Sequence, residues 1–215
     1  MSKIFAIGDI HGCISELNNL MKKLDIKAKE DTLVFIGDYI DRGPDSKGVI
    51  NSILEIRQVI DHVICLKGNH EQMFLNYHRE RLDEELFMEN GGMSTLISYG
   101  LMGKGREEKI NVPENHMQFF STLLSYYETD HYIFVHAGLR PGIPLKRQDM
   151  DDLLWIREEF INSSYNFGKT VVFGHTPISL TEPLIDKNKI GIDTGAVYGG
   201  KLTCVELPEL KVHQV

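Results

Sequence analysis

The chain predicts a layered α/β fold, on three observations. Short apolar, β-rich runs recur at positions 4–7, 33–36, 63–66, 132–135, 171–173, 189–192 and 202–207, each about as long as a buried strand. Between the early runs the apolar period changes. Ile14, Leu17, Leu20, Met21 and Leu24 follow helical spacing, as do Val49, Ile50, Ile53 and Leu54 behind Pro44, a residue suited to a helix start. Strands alternating with such helices stack as layers around a core. The third observation is a glycine-bearing polar segment just after five of the runs, where ligands of α/β folds gather.

With 215 residues, 42% of them hydrophobic, the chain can bury a substantial core as one domain spanning 1–215. Residues from about 72 to 129 lack strand patterning, are rich in Glu, Arg, Met and Leu, and are broken at Asn90-Gly91-Gly92 and at 100–105. They read as a helical excursion between two core strands. Cys13, Cys65 and Cys204 are odd in number and far apart, which suits neither a disulfide framework nor a Cys-x-x-Cys metal pair. The run at 4–7 is too short for a secretory signal, and no stretch approaches a membrane span. We therefore expect a soluble protein of the reducing cytoplasm. A formal net charge of -8 and a pI of about 5.6 argue against general nucleic-acid binding, which needs a basic face. Acidity leaves phosphate substrates open, because bound divalent ions supply positive charge locally.

The five polar segments are Gly8-Asp9-Ile10-His11-Gly12, Gly37-Asp38-Tyr39-Ile40-Asp41-Arg42-Gly43-Pro44, Gly68-Asn69-His70-Glu71, His136-Ala137-Gly138 and Gly174-His175-Thr176. Asp9, His11, Asp38, Asn69, His136 and His175 offer carboxylate, imidazole and one amide oxygen, without thiolate. Such donors suit manganese, iron, zinc or a similar borderline ion. Two carboxylates and three histidines exceed the needs of one tetrahedral ion with an open position. A binuclear site with one bridging carboxylate accommodates them all.

These segments resemble the metal-dependent phosphoprotein phosphatases among the calcineurin-like metallophosphoesterases, whose GDxHG, GDxxDRG and GNHE hallmarks stand here in order, followed by the later HAG and GH histidines. The length, with Asn90-Gly91-Gly92, Leu154-Trp155-Ile156-Arg157 and Gly174-His175-Thr176-Pro177, is similar to bacterial and phage members. The resemblance implies a layered β-sheet sandwich flanked by helices, with a helical insertion. It implies two divalent ions per chain, manganese being expected and iron, zinc or nickel the alternatives. Asp9 and His11 would hold the first ion, Asn69, His136 and His175 the second, and Asp38 would bridge them. A hydroxide held between the ions would attack phosphorus directly. His70 would protonate the leaving alkoxide, oriented by Asp41, while Arg42 and Arg157 would grip phosphate oxygens with guanidinium forks.

Taken singly, each segment has an ordinary reading: Gly-Asp is a common turn, and a lone histidine is more often a satisfied core residue than a ligand. Their joint order is what outweighs that reading. Arg157 also fits a helix with a surface ion pair beside Glu158 and Glu159, and Arg140 is a weaker rim candidate or a solvated arginine. His62, His78, His116, His131 and His213 lack ligand spacing and are expected at surfaces, and Cys13 is expected as a small buried helix residue. Asp193-Thr194-Gly195 matches an aspartic-protease signature superficially. That chemistry needs two such carboxylates, and one copy exists, so a strand end near the metals is the better reading.

The expected activity is phosphomonoester hydrolysis of the serine/threonine protein phosphatase type, acting on a phosphorylated protein or a small phosphoester. The alternative is hydrolysis of symmetrical dinucleoside polyphosphates such as diadenosine tetraphosphate. Asp41-Arg42 and Glu71 favour the first, since the resemblance implies that dinucleotide-cleaving relatives can lack that aspartate and often read GNHD. A catalytically dead scaffold would have lost ligands, whereas every one of them stands, together with His70.

Overall fold

Strands and helices alternate as the apolar periods predict. The computed structural model describes residues 2–101 and 112–215. The first half runs β1 (Ile4–Ile7), α1 (Ile14–Lys23), β2 (Thr32–Phe35), α2 (Ser46–Val59), β3 (His62–Cys65), α3 (Asn69–Glu80), α4 (Glu84–Glu89), α5 (Gly92–Ser98) and α6 (Glu114–Ser121). The second half runs β4 (Tyr126–Glu128), β5 (Tyr132–Val135), α7 (Met150–Trp155), α8 (Glu158–Ile161), β6 (Thr170–Phe173), β7 (Leu184–Ile185), β8 (Lys189–Gly191), β9 (Thr203–Leu207) and β10 (Lys211–Gln214). Among the described residues no helix is long and apolar enough to cross a membrane.

The strands form two sheets, ordered β10-β9-β1-β2-β3 and β4-β5-β6-β8-β7. Each has a parallel heart, β1-β2-β3 in one and β5-β6-β8 in the other, with antiparallel strands on one side of the first and on both sides of the second. Side chains alternate across each strand. Phe5, Ile7, Leu33 and Phe35 face the helices of the first half, whereas Ala6, Val34 and Ile36 meet Phe134, Val172 and Ile190 of the second sheet. Ile133, Val135, Val171 and Phe173 turn the other way, onto Leu153, Ile156 and Phe160. The result is four layers, helix, sheet, sheet and helix, with apolar residues on both faces of each sheet. That arrangement brings the carboxyl ends of six parallel strands to one seam.

Local rules explain the helices that hold the sheets. In α1, Leu17 and Leu20 are buried, with Glu16 in the first turn and Lys22 and Lys23 in the last, matching the helix dipole. Asp45 caps α2 by accepting from the Gly48 N–H at 2.8 Å, and Val49, Ile50, Ile53 and Ile56 form its buried stripe. Pro44 therefore lies just outside the helix it announces, and Cys13 is buried immediately before α1 rather than within it.

Several expectations need correction. Among the described residues of 72–129, α3 to α6 are helical, but Tyr126–Glu128 is an edge strand too short and too polar to show as a run. β7 and β10 are likewise strands absent from the apolar reading, being edge strands with little buried surface. Of the break expected at 100–105, Gly100 ends α5 in the left-handed region and residues 102–105 lie outside the described residues. His116 is not at the surface. It is buried, with Nδ1 meeting the Tyr99 hydroxyl at 2.8 Å and Nε2 meeting Asn51 Oδ1 at 2.9 Å, so both ring nitrogens are satisfied in the helical layer. His62 and His131 are exposed as expected, while His78 and His213 are half-buried.

Lys189 at the start of β8 is only 2% exposed, and its ammonium donates to the carbonyls of Phe160 at 2.7 Å, Ile161 at 3.1 Å and Ser163. It thus caps the carbonyl end of α8 from inside the protein. Lys189→Met keeps the stem but strands those carbonyls. We expect urea denaturation to show a loss of about 1–3 kcal/mol, and unchanged stability would show that the cap contributes nothing.

Candidate active site

Each polar segment leaves the carboxyl end of a parallel strand: Asp9 and His11 after β1, Asp38 after β2, Asn69 and His70 after β3, His136 after β5 and His175 after β6. The segments are tied to one another by main-chain bonds. The N–H groups of Ile10 and His11 donate to the Asp38 carbonyl at 3.0 and 2.8 Å, and that of Gly174 donates to the His136 carbonyl at 2.7 Å. The two sheets are joined where the His175 N–H donates to Asp9 Oδ2 at 2.9 Å. His11, Asp38, Asp41, Arg42 and His175 all adopt positive φ, between 46° and 70°. Such conformations cost roughly 1–2 kcal/mol each for residues with a side chain, so strain is concentrated at these turns. A Cβ at Gly68 would lie 2.0 Å from Asp38 Oδ1, and one at Gly174 2.1 Å from Asp9 Oδ1. Only glycine lets the backbone approach both carboxylates so closely.

Asp38 stands at the centre. Its Oδ2 lies 3.4 Å from His11 Nε2 and 3.9 Å from His70 Nε2, and its Oδ1 lies 3.4 Å from His136 Nε2. Two clusters of donor atoms share it, His11-Asp38-His70 and Asp38-His136-His175, each with all atoms within 4.8 Å of one another. All the proposed ligands are nearly dry, from His136 at 0% exposed to His175 at 6%. Burial, with lesser help from neighbouring cations, holds His11 well below the usual imidazole range and His136 at about 3. Burial first and His136 second push His175 down further. Neutral imidazoles are the form that binds a metal. Burial pushes Asp9 and Asp38 upward, with Asp193 and Asp38 adding repulsion at Asp9, so these carboxylates lack positive counter-charge.

The donor set passes a direct test of fit to a cation. Asp9 Oδ1 and His175 Nε2 are buried without a hydrogen-bond partner. His136 Nδ1 is directed to the Ile36 carbonyl at 3.2 Å, so Nε2 presents a lone pair, and Asn69 Oδ1 as oriented here presents another 2.9 Å away. Two facing lone pairs are stabilised by a positive ion beside them. His11 Nδ1 likewise donates to the Ile40 carbonyl at 2.8 Å, which turns the Nε2 lone pair inward, where Arg42 Nη1 donates to it at 2.8 Å.

Beside this donor set lies a buried acid pair. His70 Nδ1 meets Asp41 Oδ2 at 2.7 Å, both side chains are fully buried, and His70 Nε2 has no partner. Burial drives both toward neutrality, Asp41 up to about 8 against the opposing pull of the Thr95 hydroxyl and Arg42, and His70 down to about 4. The Nδ1···Oδ2 contact engages one ring nitrogen and leaves Nε2 3.9 Å from Asp38 Oδ2. His70 is itself a member of the first cluster, and the engagement of Nδ1 by Asp41 is what sets this ring apart from the other histidines.

The arginines divide. Arg42 is half-buried, its guanidinium against His11 and 5.5 Å from the Tyr198 ring. Arg157 sits between α7 and α8, where its Nη1 donates to the His175 carbonyl at 3.4 Å and to Thr176 Oγ1 at 3.1 Å. Its side chain is exposed. Arg140 is taken up by Asp152, at 2.5 and 2.7 Å, and by Glu159 at 3.1 Å, which makes it a surface ion pair. Asp193 follows β8 to the same seam and accepts from the Gly195 N–H at 2.9 Å, with burial pushing its carboxyl up to about 6.

Two contributors were not assigned from the sequence. Glu71 is fully buried and accepts 2.9 Å bonds from the N–H groups of Asp38, Tyr39 and Gly68, clamping the segment after β2 to the start of α3. A glutamate three residues after a helix start is a capping signal, though nothing in sequence shows that it reaches a second loop. Thr95 in α5 bonds Asp41 from 54 residues away, with no local signal at all. A cavity of about 720 Å³ opens at the amino ends of β5, β6 and β8, lined by Asp130, Lys169 and Asp186 among others. It lies at the opposite end of the strands, so a concave surface alone would have misplaced the site.

Carboxylates and neutral imidazoles converging at a strand-end seam, with arginines on the rim, define a metal-dependent phosphoester hydrolase. The comparisons with known proteins agree, and the chain belongs to the calcineurin-like phosphoesterase family, whose profile matches residues 2–210. It is 30% identical to serine/threonine-protein phosphatase 1 of Salmonella typhimurium over 95% of this chain and 91% of that protein. It is 28% identical to the bis(5'-nucleosyl)-tetraphosphatase PrpE (asymmetrical) of Oceanobacillus iheyensis over 96% of this chain and 89% of that protein. A solved structure of a candidate diadenosine tetraphosphatase shares the fold at TM-score 0.77 and 24% identity, covering 100% of this chain and 93% of that one. The family works with divalent metals, and the two clusters around Asp38 could hold them.

Glu71→Gln replaces one acceptor oxygen by a donor that faces backbone N–H groups. We expect it to lower stability by about 1.5–3 kcal/mol and to weaken metal retention, measured by thermal denaturation and by elemental analysis after dialysis. Wild-type values in both would show that the clamp is dispensable.

Proposed function

We propose that the chain is a phosphomonoesterase of the serine/threonine protein phosphatase type. The observation that carries this reading is the buried Asp41–His70 pair with its unpartnered Nε2, next to Arg42 and the Asp38 clusters. A serine or threonine alkoxide is a poor leaving group, and a held proton donor is what such an ester demands. Asp9 and His11 would hold one divalent ion, Asn69, His136 and His175 a second, and Asp38 both, with manganese the expected metal. When bound, the ions supply Lewis acidity and positive charge against the phosphoryl oxygens.

The side chains do the rest. Arg42 leaves His11 Nε2 and turns its fork to one phosphate edge, and Arg157 reaches from the rim to another oxygen. His70 gives its Nε2 proton to the departing ester oxygen. Asp41 keeps the ring in place and holds the proton at Nδ1 while the Nε2 proton leaves. Burial of the pair keeps water from competing for that proton. Cys13, Cys65 and Cys204 are free and buried, which supports a place in the reducing cytoplasm.

A second reading has specific support, since a relative of similar identity is named a bis(5'-nucleosyl)-tetraphosphatase. That relative is the asymmetrical kind, whereas the residues suggested the symmetrical one as the alternative. Purified protein should hydrolyse phosphoserine and phosphothreonine peptides with added manganese, faster than diadenosine tetraphosphate under matched conditions. Preference for the dinucleotide would exchange the two readings, and the products would tell symmetrical from asymmetrical cleavage.

His70→Asn should lower kcat on a phosphoserine peptide by about 10²–10³ with metal content near wild type. An emptied site would make His70 a ligand instead. Arg42→Lys should raise KM or reduce kcat by about 10-fold, because an ammonium cannot make the two-pronged contact, and unchanged kinetics would remove Arg42 from the phosphate grip.

A further inference from the structure

Among the described residues of the 72–129 excursion, Thr95 reaches the acid pair, and it is buried completely. Thr95 in α5 is 0% exposed, and its Oγ1 donates to Asp41 Oδ1 at 2.5 Å. The same oxygen lies 2.9 Å from Ser46 Oγ at the head of α2, another fully buried hydroxyl. The Asp41 N–H is directed to both, at 2.9 Å to Thr95 Oγ1 and 3.0 Å to Ser46 Oγ.

Counting hydrogens fixes the direction of this chain. A hydroxyl has one proton to give. The Thr95 proton is committed to Asp41 Oδ1, so the contact between the hydroxyls is made by the Ser46 proton. The order is Ser46 to Thr95 to Asp41, with the other carboxylate oxygen, Oδ2, left for His70 Nδ1. Each group has a use, and the only unpartnered atom in the series is His70 Nε2. Asp41 needs such support, because it is buried at a φ of 70° and bonded through both main-chain and side-chain atoms.

We infer that Thr95 is a positioning residue for leaving-group protonation, and that helix α5 of the excursion thereby takes part in the chemistry. The inference rests on the phosphomonoesterase reading above. As the ester P–O bond breaks, its electron pair goes to the leaving oxygen, and the Nε2 proton bonds to that oxygen. The proton between Nδ1 and Oδ2 stays on the imidazole, leaving neutral His70 beside an Asp41 carboxylate. One water is consumed at phosphorus, and the proton it releases restores Nε2. Thr95, by donating to Oδ1, fixes the Asp41 carboxylate so that Oδ2 stays on Nδ1 and the ring keeps Nε2 turned to the Asp38 clusters.

The test is the dependence on leaving group, which a purely structural role would not alter. A nitrophenyl ester departs without a proton, whereas a serine ester needs one. With the manganese-loaded full chain, Thr95→Val should lower kcat about 10-fold or more on a phosphoserine peptide and less than about 3-fold on nitrophenyl phosphate, with KM little changed. Thr95→Ser, which keeps the hydroxyl, should recover most of the loss. Ser46→Ala, which removes the donor behind Thr95, should show the same selectivity on a smaller scale and carries the test should Thr95→Val fold poorly. Equal losses on both esters, no loss, or failure of Thr95→Ser to recover activity would each overturn the inference. A wild-type chain inactive on every monoester would instead sink the phosphatase reading itself.

Discussion

Asp9, Asp38 and Asp193 are held at the seam between the sheets at 4%, 1% and 9% exposure, close enough that Asp38 raises the proton affinity of both Asp9 and Asp193. Burying carboxylates together is unfavourable by several kcal/mol per group unless charge and hydrogen bonds answer it. Much of the surrounding structure is arranged around that cost. The amino end of α3 points at Asp38, whose Oδ1 accepts the His70 N–H at 3.2 Å. The His175 N–H answers Asp9, the Gly195 N–H answers Asp193, and Arg42 lies among them. What the main chain leaves over is a shortage of positive charge in a dry place, and that shortage is the capacity to hold divalent ions and, through them, a phosphate dianion.

The four-layer fold exists to make such a place tolerable. Sheets covered on both faces let parallel strands end together in an apolar setting, and parallel strands of two sheets end here within a few residues of their polar segments. The strained turns at His11, Asp38, Asp41, Arg42 and His175 depend on that packing, because isolated loops would relax out of the left-handed region. Stability and chemistry therefore share residues, as Glu71 illustrates: it is remote from substrate in role, but it fixes the backbone of Asp38.

Legibility in sequence followed physical range. The parallel core strands stood out because burial on both faces makes them continuous apolar runs, and the ligand candidates stood out because each sits within a few residues of a strand end. Tyr126–Glu128 and Lys211–Gln214 did not, since an edge strand is half solvated and takes its form from its neighbour. Thr95 and His116 were invisible for another reason. Their importance comes from partners 54 and 65 residues away, and nothing local distinguishes a buried threonine or histidine from a surface one. Asp193 was partly legible, as a strand end near the metals, while its repulsion with Asp9 needed the fold. The helical excursion was legible as helix but silent about what it delivers to Asp41.

On the function proposed above, Asp38 joins two metal positions in one centre. Electron paramagnetic resonance on the manganese-titrated chain tests it most directly, with the metal content counted in the same samples. Saturation at two ions per chain with the signal of a spin-coupled pair is expected, with loss of that coupling in Asp38→Asn. Saturation at a single ion, or two ions with independent signals in the wild-type chain, would contradict it.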